Sequence, residues 1–389
     1  MRSGRFLRAL GVTPHQVPAE LAELAALYRS LLADRRMLVV LDDALTGALA
    51  RALDEASAED PEFGTQLREL WDRVGLRAAA GDQGIAGGPD RAARWPIATS
   101  RSPTPCSPSC TPACTCIPEG KTMPVARVND IELNYKLEGE GEETIVLVNG
   151  LADDLETWVL QVDEFLAAGY RVLRFDNRGI GASAKPAGPY SSRMLADDAK
   201  ALVDSLGIAD FHLMGVSMGG MIAQEYAHAY PADLRSVTFA CTYAAPGPFC
   251  SRMFAMWADM VPVLGVPFVM RDVTLWAFTL PFFEQRTAEL EEFETAMRYL
   301  DQPVHAFLAQ LAVIQEHDTT SRLGEITVPS LVLAGEEDIL IPVALSHRIH
   351  EGIPGSEWAT TKGGHGCVWE HPADFNRTYL DFVARHRKG

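Results

Sequence analysis

The chain has 389 residues, 47% hydrophobic and 22% charged, and its 34 Lys and Arg against 52 Asp and Glu give a formal net charge of -18. Such length and apolar content exclude a structureless polymer and allow a large buried core. The negative field disfavours nucleic acid and anionic membrane surfaces as partners, and no apolar run approaches the roughly 18 to 20 residues that span a bilayer.

The chain opens with Arg2, Arg5 and Arg8 but has no continuous apolar segment or small-residue cleavage site after them, so export is not expected and a cytoplasmic location is. Ala19 to Leu32 has helical apolar spacing and leads into Met37 to Asp43, an apolar strand pattern ending in the carboxylates Asp42 and Asp43. Over about fifty residues this stretch resembles a piece of the NTPase region of bacterial transcriptional regulators. The Gly-x4-Gly-Lys-[Ser/Thr] loop that would cradle phosphates is missing from the whole chain, so a remnant or an ordinary strand end is expected. Residues 1–77 are thus a helical and strand-bearing fragment.

Residues 78–122 carry Gly-Gly, repeated Ser-Pro and Thr-Pro pairs and the clustered Cys106, Cys110, Cys114 and Cys116, without apolar periodicity. They are expected to form a disordered linker. Paired Cys-x2-Cys knuckles are lacking, so solvated thiols are expected there rather than zinc ligands. Residues 1–122 have net charge -1, which leaves -17 on residues 123–389.

From Met123 onward strands alternate with amphipathic helices. Strands are expected near Val128 to Tyr135, Thr144 to Asn149, Arg171 to Asp176, Phe211 to Val216, Ser236 to Cys241, Ser330 to Ala334 and Trp358 to Thr360. That order predicts an α/β class with a mostly parallel, doubly wound sheet, whose ligands bind beyond the carboxyl ends of its strands. Asp176-Asn177-Arg178-Gly179 reads as a structural turn, with Arg178 a candidate for touching substrate.

After the strand ending at Val216 comes Gly215-Val216-Ser217-Met218-Gly219-Gly220, followed by a helix over Met221 to Tyr230. A sharp strand-to-helix turn of this kind strains the serine backbone, needs small neighbours at minus two and plus two, and lifts the hydroxyl above the sheet. Ser217 is therefore the candidate nucleophile, and the Met218 N–H points to where an oxyanion would form. Between Thr242 and Leu323 the alternation gives way to a block rich in Met, Trp and Phe. This block, about 243–323, is expected to form a helical cap over Ser217. Most of its aromatics are expected to be core, while Trp257, Trp276 and Phe278 are candidates for lining a pocket.

A serine needs a base and a carboxylate behind it. His365 lies in the flexible Gly363-Gly364-His365-Gly366 loop, whereas His228, His347, His350, His371 and His386 lie on helices or in the basic tail. Asp338 ends the apolar strand Leu331 to Ala334, and the adjacent Glu336 and Glu337 are its competitors for the acid.

These motifs together resemble the α/β-hydrolase superfamily over residues 123–389, and within it the esterase and lactonase group that includes 3-oxoadipate enol-lactonases. The resemblance implies the order Ser217, Asp338, His365. Where that group usually has His-Gly after its second strand, Val148-Asn149-Gly150-Leu151 stands here, so Asn149 and Gly150 become candidates for the substrate pocket and Leu151 for the second oxyanion N–H. The implied activity is hydrolysis of a small-molecule apolar ester or lactone, of medium size, through an acyl-enzyme, with no metal or organic cofactor. Carbon–carbon bond hydrolysis or cofactor-free perhydrolysis on the same triad remains open, as does the oligomeric state. A non-catalytic binding protein on the same fold would be expected to carry a damaged triad.

Overall fold

A computed structural model of the protein describes residues 124–298 and 301–388. The N-terminal fragment, the linker with its four cysteines, and Asp42 and Asp43 lie outside the described residues. Eight strands form one sheet in the order β1-β2-β4-β3-β5-β6-β7-β8: β1 Val125–Val128, β2 Ile131–Glu138, β3 Thr144–Val148, β4 Arg171–Phe175, β5 Phe211–Val216, β6 Leu234–Ala240, β7 Ser330–Gly335 and β8 Glu357–Thr361. From β4 across to β8 every pairing is parallel, while β1 and β2 pair antiparallel at one edge.

The strand expected over Val128 to Tyr135 is thus a hairpin. Asn129 and Asp130 sit at φ 47° and 61°, the left-handed pair that a two-residue turn requires and that Asn and Asp tolerate. The apolar character on both sides of them hid the reversal. The strand expected from Ser236 starts at Leu234.

Side chains along the central strands alternate between two cores, as the period of two demands. Val146, Val148, Leu213, Val237 and Phe239 face one side, where they meet α2 (Ser192–Ser205) and α3 (Met218–Ala229) through Leu202, Ile222 and Tyr226. Ile145, Leu147, Met214 and Leu333 face the other, against Phe165 of α1 (Val159–Ala167). Each large side chain buried this way contributes about 1.5–3 kcal/mol before entropy.

Between β6 and β7 the chain leaves the sheet for α4 (Gly247–Leu264), α5 (Val266–Ala277), α6 (Leu280–Gln285), α7 (Thr287–Arg298) and α8 (Val304–Glu316). It returns through α9 (Val343–Gly352), which follows β7, and closes with α10 (Cys367–Glu370) and α11 (Pro372–Ala384) after β8. Among the described residues no helix is long and apolar enough to cross a membrane.

Candidate active site

Ser217 stands between β5 and α3 at φ 56° and ψ -118°, a backbone state that a residue with a side chain holds only when its surroundings enforce it. The surroundings are glycines. A Cβ at position 215 would lie 2.0 Å from Gly219 O, and one at position 219 would lie 2.1 Å from Val148 O. Both clashes are with backbone, so neither could be relieved by a rotamer. The helix starts at Met218, three residues earlier than its apolar pattern suggests, because the turn and the first helical turn are fused. The first N–H groups of α3 have no carbonyl of their own helix to meet.

Asp338 lies just past the end of β7 and His365 just past the end of β8. A Cβ at position 335 would meet Gly364 O at 2.0 Å, so β7 and the histidine loop touch where only hydrogen fits. His365 Nδ1 lies 2.8 Å from Asp338 Oδ2, and the other carboxylate oxygen accepts the Ile341 N–H at 2.8 Å. Asp338 is 4% exposed and His365 9%. Glu336 and Glu337 are exposed, Glu336 accepting a hydrogen bond from Thr360. Burial alone would lower the pKa of the imidazolium. The adjoining Asp338 charge and its hydrogen bond outweigh burial and hold His365 up at about 9.

The histidine loop is tied to the helices above it. Glu370 accepts the Gly364 N–H at 2.8 Å and the Thr279 hydroxyl at 2.5 Å, and the Gly366 N–H donates to Ala277 O at 2.8 Å. Cys241 and Cys367 bring their sulfurs to 3.5 Å. Cys241 lies close enough to Asp338 and His365 for a ligand atom of each to fall within 4.8 Å of the others. Asp338 and His365 are already engaged with each other, so the cluster is a histidine–carboxylate pair with a thiol beside it.

A cavity of about 60 Å³ opens on Ser217 and His365, walled by Leu151, Phe254, Trp257, Met270, Phe278 and Trp369. Its lining also includes Asp153 and Thr274. No hydrogen bond joins Ser217 to His365; catalytic contacts of this kind commonly tighten only in the complex with substrate. The Leu151 N–H has no acceptor among the described residues, in contrast to the neighbouring Ala152 N–H, which donates to Gln310 Oε1 at 3.2 Å.

Four residues expected in the pocket do not line it. Asn149 is fully buried, accepting the Trp158 indole N–H at 2.6 Å and donating to Phe175 O at 2.8 Å, so it braces the end of β3. Arg178 is held by Asp198 through two bonds of 2.5 and 2.7 Å and lies over the Tyr190 ring, away from the cavity. Trp276 packs on Phe249 and donates to Asp272 rather than lining the cavity. Gly150 is outside the lining but beside Ser217, since a Cβ there would be 3.4 Å from Ser217 Cβ. Trp257 and Phe278 do line it.

Asp153 was missed. The signal was the pair Asp153-Asp154 after the oxyanion strand. Asp154 has a local task, accepting the Glu156 N–H at 2.9 Å to cap a short 3-10 turn, and leaves its neighbour with none.

A family model described as alpha/beta hydrolase fold matches residues 143–372. Among curated relatives, "Putative carbamate hydrolase RutD" of Azorhizobium caulinodans is 31% identical over 261 residues, covering 67% of this chain and 98% of that protein. The protein of the same description from Variovorax paradoxus is 29% identical, covering 65% of this chain and 96% of its own. Among solved structures, the enol-lactonase from Burkholderia xenovorans LB400 aligns with a TM-score of 0.63 and 28% identity over 67% of this chain and all of the other.

Proposed function

The chain belongs to the alpha/beta hydrolase fold family, and from that premise we propose that it is a serine hydrolase cleaving a carboxylic ester or lactone through an acyl-enzyme. The observation that carries this reading is the left-handed Ser217 sharing a cavity with a His365 bonded to Asp338 at 2.8 Å. In the proposed cycle neutral His365 takes the Ser217 proton as the oxygen attacks the carbonyl carbon. The Leu151 and Met218 N–H groups hold the oxyanion. His365 then gives its proton to the departing alkoxide, the carbon–oxygen bond breaks, and the acyl group stays on Ser217. A water deprotonated by the same ring attacks the acyl carbon, and the acid leaves as Ser217 recovers its proton.

An uncharged substrate fits this cavity best. The walls are apolar, the domain carries -17, and the three arginines that could offset a substrate carboxylate are engaged elsewhere: Arg178 with Asp198, Arg252 with Pro248 O and Arg271 with Glu294. Neutral small esters or lactones are expected to exceed dicarboxylate-type enol-lactones at least tenfold in kcat/KM. A panel of p-nitrophenyl esters, aliphatic lactones, enol-lactones and carbamates measures this. A dicarboxylate preference lost on replacing one of those arginines reverses the substrate assignment. In the same panel Ser217→Ala is expected to lower kcat by about 10⁴ to 10⁶ with the fold intact, and a serine-directed phosphonate to label the wild type alone. Residual activity within tenfold of wild type removes Ser217 from the nucleophile role.

A further inference from the structure

The oxyanion loop brings a carboxyl group into the apolar cavity that the proposed cycle does not use. Ala152 sits at φ 60° with no exposed surface, and this left-handed residue reverses the chain so that position 153 folds back over position 150. A Cβ at Gly150 would be 2.6 Å from Asp153 Oδ2 and 3.4 Å from Ser217 Cβ, so those two atoms are separated by no more than the sum of these distances. Asp153 lines the cavity together with Ser217 and His365. The Gly150 N–H is the one backbone donor near enough to lower its pKa, and no Lys or Arg pairs with its carboxyl among the described residues.

We propose, resting on the serine-hydrolase reading above, that Asp153 is a specificity-determining residue that accepts a hydrogen bond from a hydroxyl or N–H carried by the substrate within one bond of its scissile carbonyl. A carboxyl of four lone-pair directions, set in walls of Phe, Trp and Met, lacks donor partners that a substrate hydroxyl or N–H would supply. Its neighbours agree. Burial pushes the Asp153 pKa up to about 7 and adjoining Asp154 pushes the same way, while His365 across the cavity and the Gly150 N–H oppose them without prevailing. An apolar group placed against this carboxyl would strip its water and return nothing. A donor within one bond of the carbonyl is singled out because the loop that carries Asp153 also carries Leu151, whose N–H is assigned to the carbonyl oxygen.

The test compares isosteric pairs in which a donor replaces a methyl group: ethyl lactate against ethyl isobutyrate for the hydroxyl, and phenyl carbamate against phenyl acetate for the N–H. Phosphonate titration of Ser217 normalises every rate to correctly folded sites. The ratio of kcat/KM, donor to methyl, is expected to fall tenfold or more from wild type to Asp153→Ala in at least one pair. Asp153→Asn, which keeps an acceptor oxygen, is expected to fall between them and covers the case in which the alanine variant does not fold. Taking each ratio relative to wild type cancels the intrinsic reactivity of the two substrates. Ratios that stay within twofold of wild type in both variants overturn the proposal, as does an equal loss on donor and methyl substrates. Hydrolysis of both pairs by Ser217→Ala at wild-type rates would instead overturn the serine-hydrolase reading, so the two failures are distinguishable.

Discussion

At the scale of single residues the legible part of the site was the part that backbone geometry dictates. Gly215 and Gly219 are required because carbonyl oxygens lie about 2 Å from where their Cβ atoms would be, and such requirements leave a spelling in the sequence. Asp338 was separable from Glu336 and Glu337 by the apolar residues that follow it. Asp153 and Arg178 were not legible, because a carboxylate's or guanidinium's task depends on which distant side chain faces it: Asp198 for one, an open cavity for the other. The His365–Asp338 pair makes a prediction at this scale. A base must be neutral to act, and its pKa is held at about 9 by Asp338, so kcat/KM is expected to climb with pH through neutrality and level off above about 9. Asp338→Asn removes the charge that raises the pKa. The midpoint of the pH–rate profile is expected to move down, with kcat reduced by about 10⁴ as the ring loses its orientation. A profile flat from pH 6 to 10 in the wild type contradicts the assignment.

At the scale of elements, strands buried on both faces announced themselves through continuous apolar runs, and β5 begins and ends where its pattern does. Errors fell where two readings share one pattern. The β1–β2 reversal lay inside an apolar stretch, and α3 began inside a motif already assigned to a turn. The Met- and aromatic-rich block gave helices and apolar packing, but not which aromatics would face Ser217, since that depends on how α4 and α5 lie against α10. Glu370 links these pieces, with one carboxylate oxygen on the histidine loop and the other on Thr279 at the start of α6. We expect Glu370→Ala to lower kcat about tenfold or more per titrated Ser217 and to shift the pH–rate midpoint, because Gly364 and Thr279 lose their buried acceptor and His365 its fixed position. Glu370→Gln, which keeps an acceptor, is expected to recover most of the loss. A drop in thermal midpoint with kcat and midpoint pH unchanged would make Glu370 merely structural.

At the scale of the whole molecule, every residue assigned to binding or chemistry falls between Asn149 and Glu370. We therefore propose that residues 1–122 form a separate part, whose removal leaves kcat/KM within about threefold. A soluble, folded truncation with collapsed activity would show that the N-terminal part acts on the catalytic domain. The parallel order of the sheet also sets a sequence of arrival. Parallel strands cannot pair with their immediate neighbours in the chain through a tight turn, and β8, which precedes His365, lies on an outer edge of the sheet with only β7 beside it. During synthesis Ser217, Leu151 and Met218, the proposed nucleophile and oxyanion donors, leave the ribosome well over a hundred residues before the proposed base His365. On the proposed reading, a chain that ends after position 218 but before 365 carries the candidate nucleophile without its candidate base, so reactivity would be gained among the last steps of synthesis.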